Sequence, residues 1–198
     1  MTLTMLLAVV ALEEKPVVCA VMPSHSVKTT APGVEFSGAK FTFCCGGCSG
    51  PFKKDPAKFL KQASDAGNVI GTSLFDPVSR LRQDPSKAVA WSDYKGVRFH
   101  FASAENKATF DADPTKYGTI PNKESLVCAV SGETVADYGT SAGYADHNGV
   151  RYYACCAGCM AGLQKDIAEL SKGPKVKVTA PKAIAGKNSV PHIHDGSH

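Results

Sequence analysis

Cys155-Cys156-Ala157-Gly158-Cys159, entered through Gly149-Val150-Arg151-Tyr152-Tyr153-Ala154, is the stretch that decides the fold. It repeats Cys44-Cys45-Gly46-Gly47-Cys48, which follows Gly38-Ala39-Lys40-Phe41-Thr42-Phe43. Each cluster has a lone cysteine well upstream, Cys128 in Val127-Cys128-Ala129-Val130 and Cys19 in Val18-Cys19-Ala20-Val21. All eight cysteines therefore belong to two copies of one pattern. In both copies a glycine stands six residues before the first clustered cysteine, and apolar residues stand four and eleven after the last: Phe52 and Phe59, or Leu163 and Leu170. The intervening stretch keeps this frame without the thiols. It reads Gly96-Val97-Arg98-Phe99-His100-Phe101, then Phe110, Asp113 and Tyr117, with Asp76, Ala102, Ser103 and Asn106 at the cysteine positions.

The pattern dictates local structure. Aromatic and polar residues alternate around Lys95-Gly96 and around Asn148-Gly149, the signature of a β-hairpin with a tight turn. Apolar residues then recur at helical spacing over 102–110 and 156–170, so strand gives way to helix at each cluster. Cys44 and Cys48, like Cys155 and Cys159, are four apart and are expected on one face of the first helical turn. Asp55-Pro56 and Asp113-Pro114 are expected to interrupt the first two helices, because proline disfavours the helical conformation of the residue before it. The third has no such proline and is expected to run straight to Ser171. The fold class is α+β: three tandem small modules, at 16–62, 73–118 and 125–172, each a cysteine knuckle or loop, a β-hairpin and a helix. Short connectors, 62–73 and 118–125, join them. Residues 173–198, rich in Lys, Pro and Gly without periodicity, read as a flexible basic tail in which His192, His194 and His198 belong to a solvated end.

Length and charge set the outer bounds. A repeat of about 50 residues is a module in its own right, too small to bury much core without a metal, disulfides or packing against its neighbours. The net charge of +4 is too small to indicate a nucleic-acid partner. The apolar run Met5-Leu6-Leu7-Ala8-Val9-Val10-Ala11-Leu12 falls far short of the roughly 20 residues that span a bilayer. Small residues at Val9 and Ala11 suit cleavage after Ala11, so 1–15 reads as a secretory signal peptide, or else a mobile N-terminus, since no Lys or Arg precedes Lys15. The expectation is a periplasmic or exported protein with no membrane span in its mature form, and otherwise a cytoplasmic one.

A metal site needs soft donors held about 2 Å from one ion, which two thiolates on a helical turn and a third from a distant loop supply. A helix N-terminus also favours the thiolate form that binds. Three thiolates suit trigonal copper(I), or tetrahedral zinc with one further ligand. Cys45 and Cys156 are adjacent spare thiols; a side chain one residue along a helix points about 100° away, which makes them additional metal candidates rather than primary ones. Met22 and His25 are candidates to complete the first site and His147 lies on the third hairpin, each set against an ordinary loop or surface role, since His ligation needs close convergence.

These features together, the Val-Cys-Ala-Val start, the aromatic hairpin, the lone cysteine followed by two cysteines four apart, and then Phe52 and Asp55-Pro56, resemble the TRASH or YHS domain family. That family consists of small treble-clef-like heavy-metal-binding modules found in metal trafficking, resistance and sensing. The middle stretch, through Asp113-Pro114-Thr115-Lys116-Tyr117, is similar to the same domain without its cysteines. The resemblance implies metal ligands at Cys19, Cys44 and Cys48 and at Cys128, Cys155 and Cys159. It further implies copper(I) or zinc as the cofactor, about two ions per chain, and a metal transporter or chaperone as the partner.

The function expected is therefore non-enzymatic metal binding for trafficking, sequestration or resistance. The chain has no His-Glu-x-x-His helix, P-loop, Gly-rich dinucleotide turn or haem-attachment motif. Two alternatives stand beside it. A disulfide-stapled exported structural or interaction protein fits an even number of cysteines in an oxidising compartment. A thiol-disulfide oxidoreductase fits the spacing of Cys45 to Cys48 and Cys156 to Cys159, without the βαβ surroundings such enzymes have.

Overall fold

The structure, a computed structural model, describes residues 14–186. Residues 1–13, most of the expected signal peptide, and the three tail histidines lie outside the described residues. The fold is mixed α+β. The first hairpin joins β1 (Gly33–Phe36) to β2 (Ala39–Thr42), and a 3-10 turn at Gly46–Cys48 leads into α1 (Ser49–Lys54) and α2 (Pro56–Ala66). A short strand, β3 (Gly71–Ser73), precedes the second hairpin, β4 (Ala90–Tyr94) and β5 (Val97–Phe101), which is followed by α3 (Ala104–Ala112) and α4 (Pro114–Tyr117). Another, β6 (Lys123–Ser125), precedes the third, β7 (Gly143–His147) and β8 (Val150–Ala154), which is followed by α5 (Ala157–Leu170). Then comes β9 (Ile184–Ala185).

The three hairpins close alike because their turns are alike. Ser37-Gly38, Lys95-Gly96 and Asn148-Gly149 all place two successive residues at positive φ, between 46° and 82°. That is the backbone of the type I′ turn, whose twist matches that of the flanking strands. An acid faces a base across each hairpin: Glu35 opposite Lys40, Asp93 opposite Arg98 and Asp146 opposite Arg151. Arg98 and Arg151 each bond their partner carboxylate at 2.8 Å, so charge pairing fixes the register as well as the turn does.

The first two hairpins share one sheet, in the order β4-β5-β3-β2-β1-β9, while the third forms a second sheet, β6-β8-β7. Between hairpins one and two, β3 runs antiparallel to β2 and parallel to β5. Gly71 allows this: a Cβ there would sit 2.5 Å from the Phe41 ring. One core therefore serves both units, with Phe41 against Phe52 at 4.6 Å and Phe101 against Phe110 at 5.2 Å between ring centroids. The third unit buries Leu163 at the equivalent position in its own core. Phe75, Tyr138, Tyr144 and Tyr153 fill the junction between them. The two connectors thus carry strands, which three residues without alternation do not announce in sequence.

Two further expectations change. α5 was expected to be straight, yet Asp166 has non-helical angles (φ −122°, ψ 24°) at the position where Asp55 and Asp113 separate the helices of the other units. The break recurs without proline, so it belongs to the shared packing frame. The segment read from composition as a flexible tail is, as far as residue 186, tied down by its backbone: Thr179 and Glu124 exchange two 2.8 Å hydrogen bonds, and β9 pairs with β1. This strap links the third unit to the first sheet. Its pairing uses main-chain groups, and composition does not report those.

The cysteine-free unit is held by a buried carboxylate. Asp76 accepts from the backbone N–H of Val78 (2.9 Å), Ser79 (3.3 Å) and Ala102 (2.9 Å) and from Asn106 Nδ2 (2.7 Å). Asp76, Ala102 and Asn106 are the three positions that carry Cys19, Cys44 and Cys48 in the first copy. Removing this carboxylate strands several donors, so Asp76→Ala should cost about 2–3 kcal/mol and lower Tm by about 5–10 °C, with Asn106→Ala costing less. Thermal unfolding followed by circular dichroism checks this; an unchanged Tm for Asp76→Ala contradicts it.

Candidate metal centres

Each centre forms where a knuckle meets a helix start. The knuckles close through one main-chain bond, from Cys19 N–H to the His25 carbonyl (2.8 Å) and from Cys128 N–H to the Glu133 carbonyl (2.8 Å). Asp76 N–H makes the same closure to the Leu81 carbonyl (3.0 Å). The knuckle cysteines and Cys48 are buried, while Cys44 is exposed and Cys155 and Cys159 are half-buried, so the first centre opens to solvent at Cys44 and the second along its two cluster cysteines. Cys44 and Cys155 stand before the helical turn rather than in it, because Cys45 and Cys156 are extended (φ −154° and −149°). Cys48 ends the 3-10 turn and Cys159 lies in the first turn of α5.

The structure brings Cys19, Cys44 and Cys48 together, with their sulfurs all within 4.8 Å of one another, and does the same for Cys128, Cys155 and Cys159. Cys44 and Cys48 are 3.8 Å apart, as are Cys155 and Cys159. Bonds of about 2.3 Å to a tetrahedral ion place sulfurs about 3.8 Å apart, and a trigonal plane places them about 4.0 Å apart. The donor sets fit one soft or borderline ion each.

The other candidates fall elsewhere. Cys45 Sγ lies 3.4 Å from Cys48 Sγ but outside the mutually close set, and Cys156 is likewise outside its set. Both occupy the N-cap position that Ser103 holds in the middle unit, where its Oγ accepts from Asn106 N–H at 3.1 Å. Serine is a preferred N-cap residue; Cys45 and Cys156 hold the same position without a side-chain capping bond. His25 bonds Ser24 and His147 bonds Asn148, and neither joins a cysteine group. Met22 is different: its Sδ lies 3.8 Å from Cys44 Sγ.

Within each triad one cysteine is set apart. Burial opposes ionisation of Cys128, yet backbone N–H groups at Ser131, Cys155 and Val130 outweigh it and lower the thiol to about 7. Cys19 is lowered in the same way, against its burial, by amides at Cys44, Val21 and Met22. The cluster thiols go the other way. Cys48 is pushed up to about 12 by its bond to Cys45 and by burial, Cys159 to about 11 by burial and its bond to Cys156, and Cys44 and Cys155 rise chiefly through burial. The knuckle cysteine is thus the first thiolate of each centre.

No family model, curated protein or solved structure matches the chain. The candidate centres therefore rest on their own geometry. Among the described residues no helix is long and apolar enough to cross a membrane.

Proton release reports this division. At the second centre, with Cys128 ionised and Cys155 and Cys159 protonated, an ion bound at pH 8 should displace about two protons, rising toward three at pH 6 as Cys128 protonates. Affinity then falls more steeply with acid below pH 7. Calorimetry in buffers of different ionisation enthalpy measures the number; three protons per ion at pH 8 contradicts the assignment.

Proposed function

We propose that the chain is a non-enzymatic binding protein for copper(I) or zinc, holding about two ions in its two cysteine triads for trafficking, sequestration or resistance. The observation that carries this reading is the convergence of three thiols from a knuckle and a helix start, twice, at spacings that suit one ion. Under this reading the chain is three tandem treble-clef-like modules of the TRASH or YHS kind. The middle one has exchanged its ion for the Asp76 hydrogen bonds. Export to the periplasm, and delivery to or from a transporter or chaperone, complete the proposal. Centres open to solvent on one side suit an ion that is taken up and passed on.

One observation favours a second reading. Cys45 and Cys48 have sulfurs 3.4 Å apart at the start of a helical turn, the spacing of a dithiol poised to oxidise. A thiol-disulfide oxidoreductase would lose insulin-reductase activity on Cys45→Ala. A metal carrier would have none to lose.

Titration of the fully reduced protein with copper(I) should reach about two equivalents with thiolate charge-transfer absorption. Cys48→Ala and Cys159→Ala should each remove one equivalent, and together both. Reduced protein that binds no metal would overturn the proposal.

A further inference from the structure

The two centres share three thiols but differ in what stands beside them. Three residues past the knuckle cysteine, Met22 places its Sδ 3.8 Å from Cys44 Sγ, and Ser131 places its Oγ 3.3 Å from Cys155 Sγ. These are the same slot. Cys19 and Met22 are three apart, as are Cys128 and Ser131, and each slot residue turns its backbone N–H toward the knuckle thiol while its side chain meets the second cysteine. Ser79 occupies this slot in the middle unit and donates its N–H to Asp76. The backbone fixes the slot, and the side chain is free to vary.

Its chemistry varies in the property that sorts metals. A thioether is a soft, neutral donor that favours copper(I), whereas a hydroxyl or a water in its place is a harder oxygen donor, which zinc accepts as a fourth ligand and copper(I) does not favour. The Met22 spacing fits a shared ion as it stands, and the Ser131 hydroxyl, now at hydrogen-bond distance from Cys155, would move out by about 0.3 Å to share one. A tetrahedral ion bonded at about 2.3 Å to two sulfurs sets them about 3.8 Å apart, and replacing one by an oxygen at about 2.1 Å brings that edge to about 3.6 Å. Met22 is also 41% exposed, so its thioether is accessible from solvent. Cys45, the other nearby sulfur, is excluded from the mutually close set.

We propose that the residue three past each knuckle cysteine is a fourth-ligand slot, which Met22 fills with a thioether, making the first centre the tighter one for copper(I), and which Ser131 fills with oxygen, giving the other centre the weaker hold on copper(I). This rests on the metal-binding reading. The two centres then differ in preference, and copper(I) loads the first more tightly than the second.

The test uses the full reduced chain carrying ¹³C at its methionine methyl groups, with Met22→Leu identifying the Met22 resonance. One equivalent of copper(I), supplied from a chelator-buffered stock, should shift that resonance, and one equivalent of zinc should not. In competition with a colorimetric chelator, Met22→Leu should weaken the tighter copper(I) site about tenfold without altering zinc binding, and Ser131→Met should strengthen copper(I) binding at the other. Met22 is exposed, so the leucine variant keeps the fold. A Met22 methyl that copper(I) leaves unmoved while two ions bind overturns the ligand assignment alone. Absence of binding by either ion overturns the metal-binding reading with it.

Discussion

Every unit of this chain must bridge one short gap, between the tip of a knuckle and the start of a helix. Backbone amides at the knuckle converge on a single side chain, and that side chain must also reach the helix. At Cys19 and Cys128 the acceptor is a thiol whose partners are two cysteines 3.8 Å apart. At Asp76 it is a carboxylate whose partner is Asn106, 2.7 Å away. One main-chain geometry thus accommodates either an ion cluster or a hydrogen-bonded pair. Fold and metal are separable properties of the unit.

Such small units do not stand alone. The first two share a sheet through β3 and a core of phenylalanines, and aromatic residues at 75, 138, 144 and 153 join them to the third. The strap through Thr179 to β9 adds main-chain bonds across the same junction. The middle unit needs no ion because its neighbour completes its core and Asp76 closes its knuckle. Under the metal-binding proposal, this leaves ions at the two thiol triads available for a role other than holding the chain together.

Much of this was legible in the sequence. The glycine six residues before each cluster and the apolar residues at four and eleven after it identified the hairpins, the helix starts and the buried Phe52, Phe110 and Leu163. What escaped reading was set by tertiary pairing. β3 and β6 are too short to show periodicity, β9 is an edge strand recruited by main-chain groups, and the kink at Asp166 follows a shared frame rather than a local proline. At the centres, spacing gave the triads. It could not give Cys45 and Cys156 as cap residues, which required the extended backbone at those positions, nor Met22 as a neighbour of Cys44, which required the knuckle to fold back on the cluster.

The account stands most directly on whether the eight cysteines hold ions or each other. Elemental analysis and a thiol count on protein isolated anaerobically and without chelators decide this together. The account predicts about two ions of copper or zinc per chain, and eight free thiols once the metal is removed in denaturant. Protein that carries no metal and has no free thiols would contradict it, and would make the clusters staples.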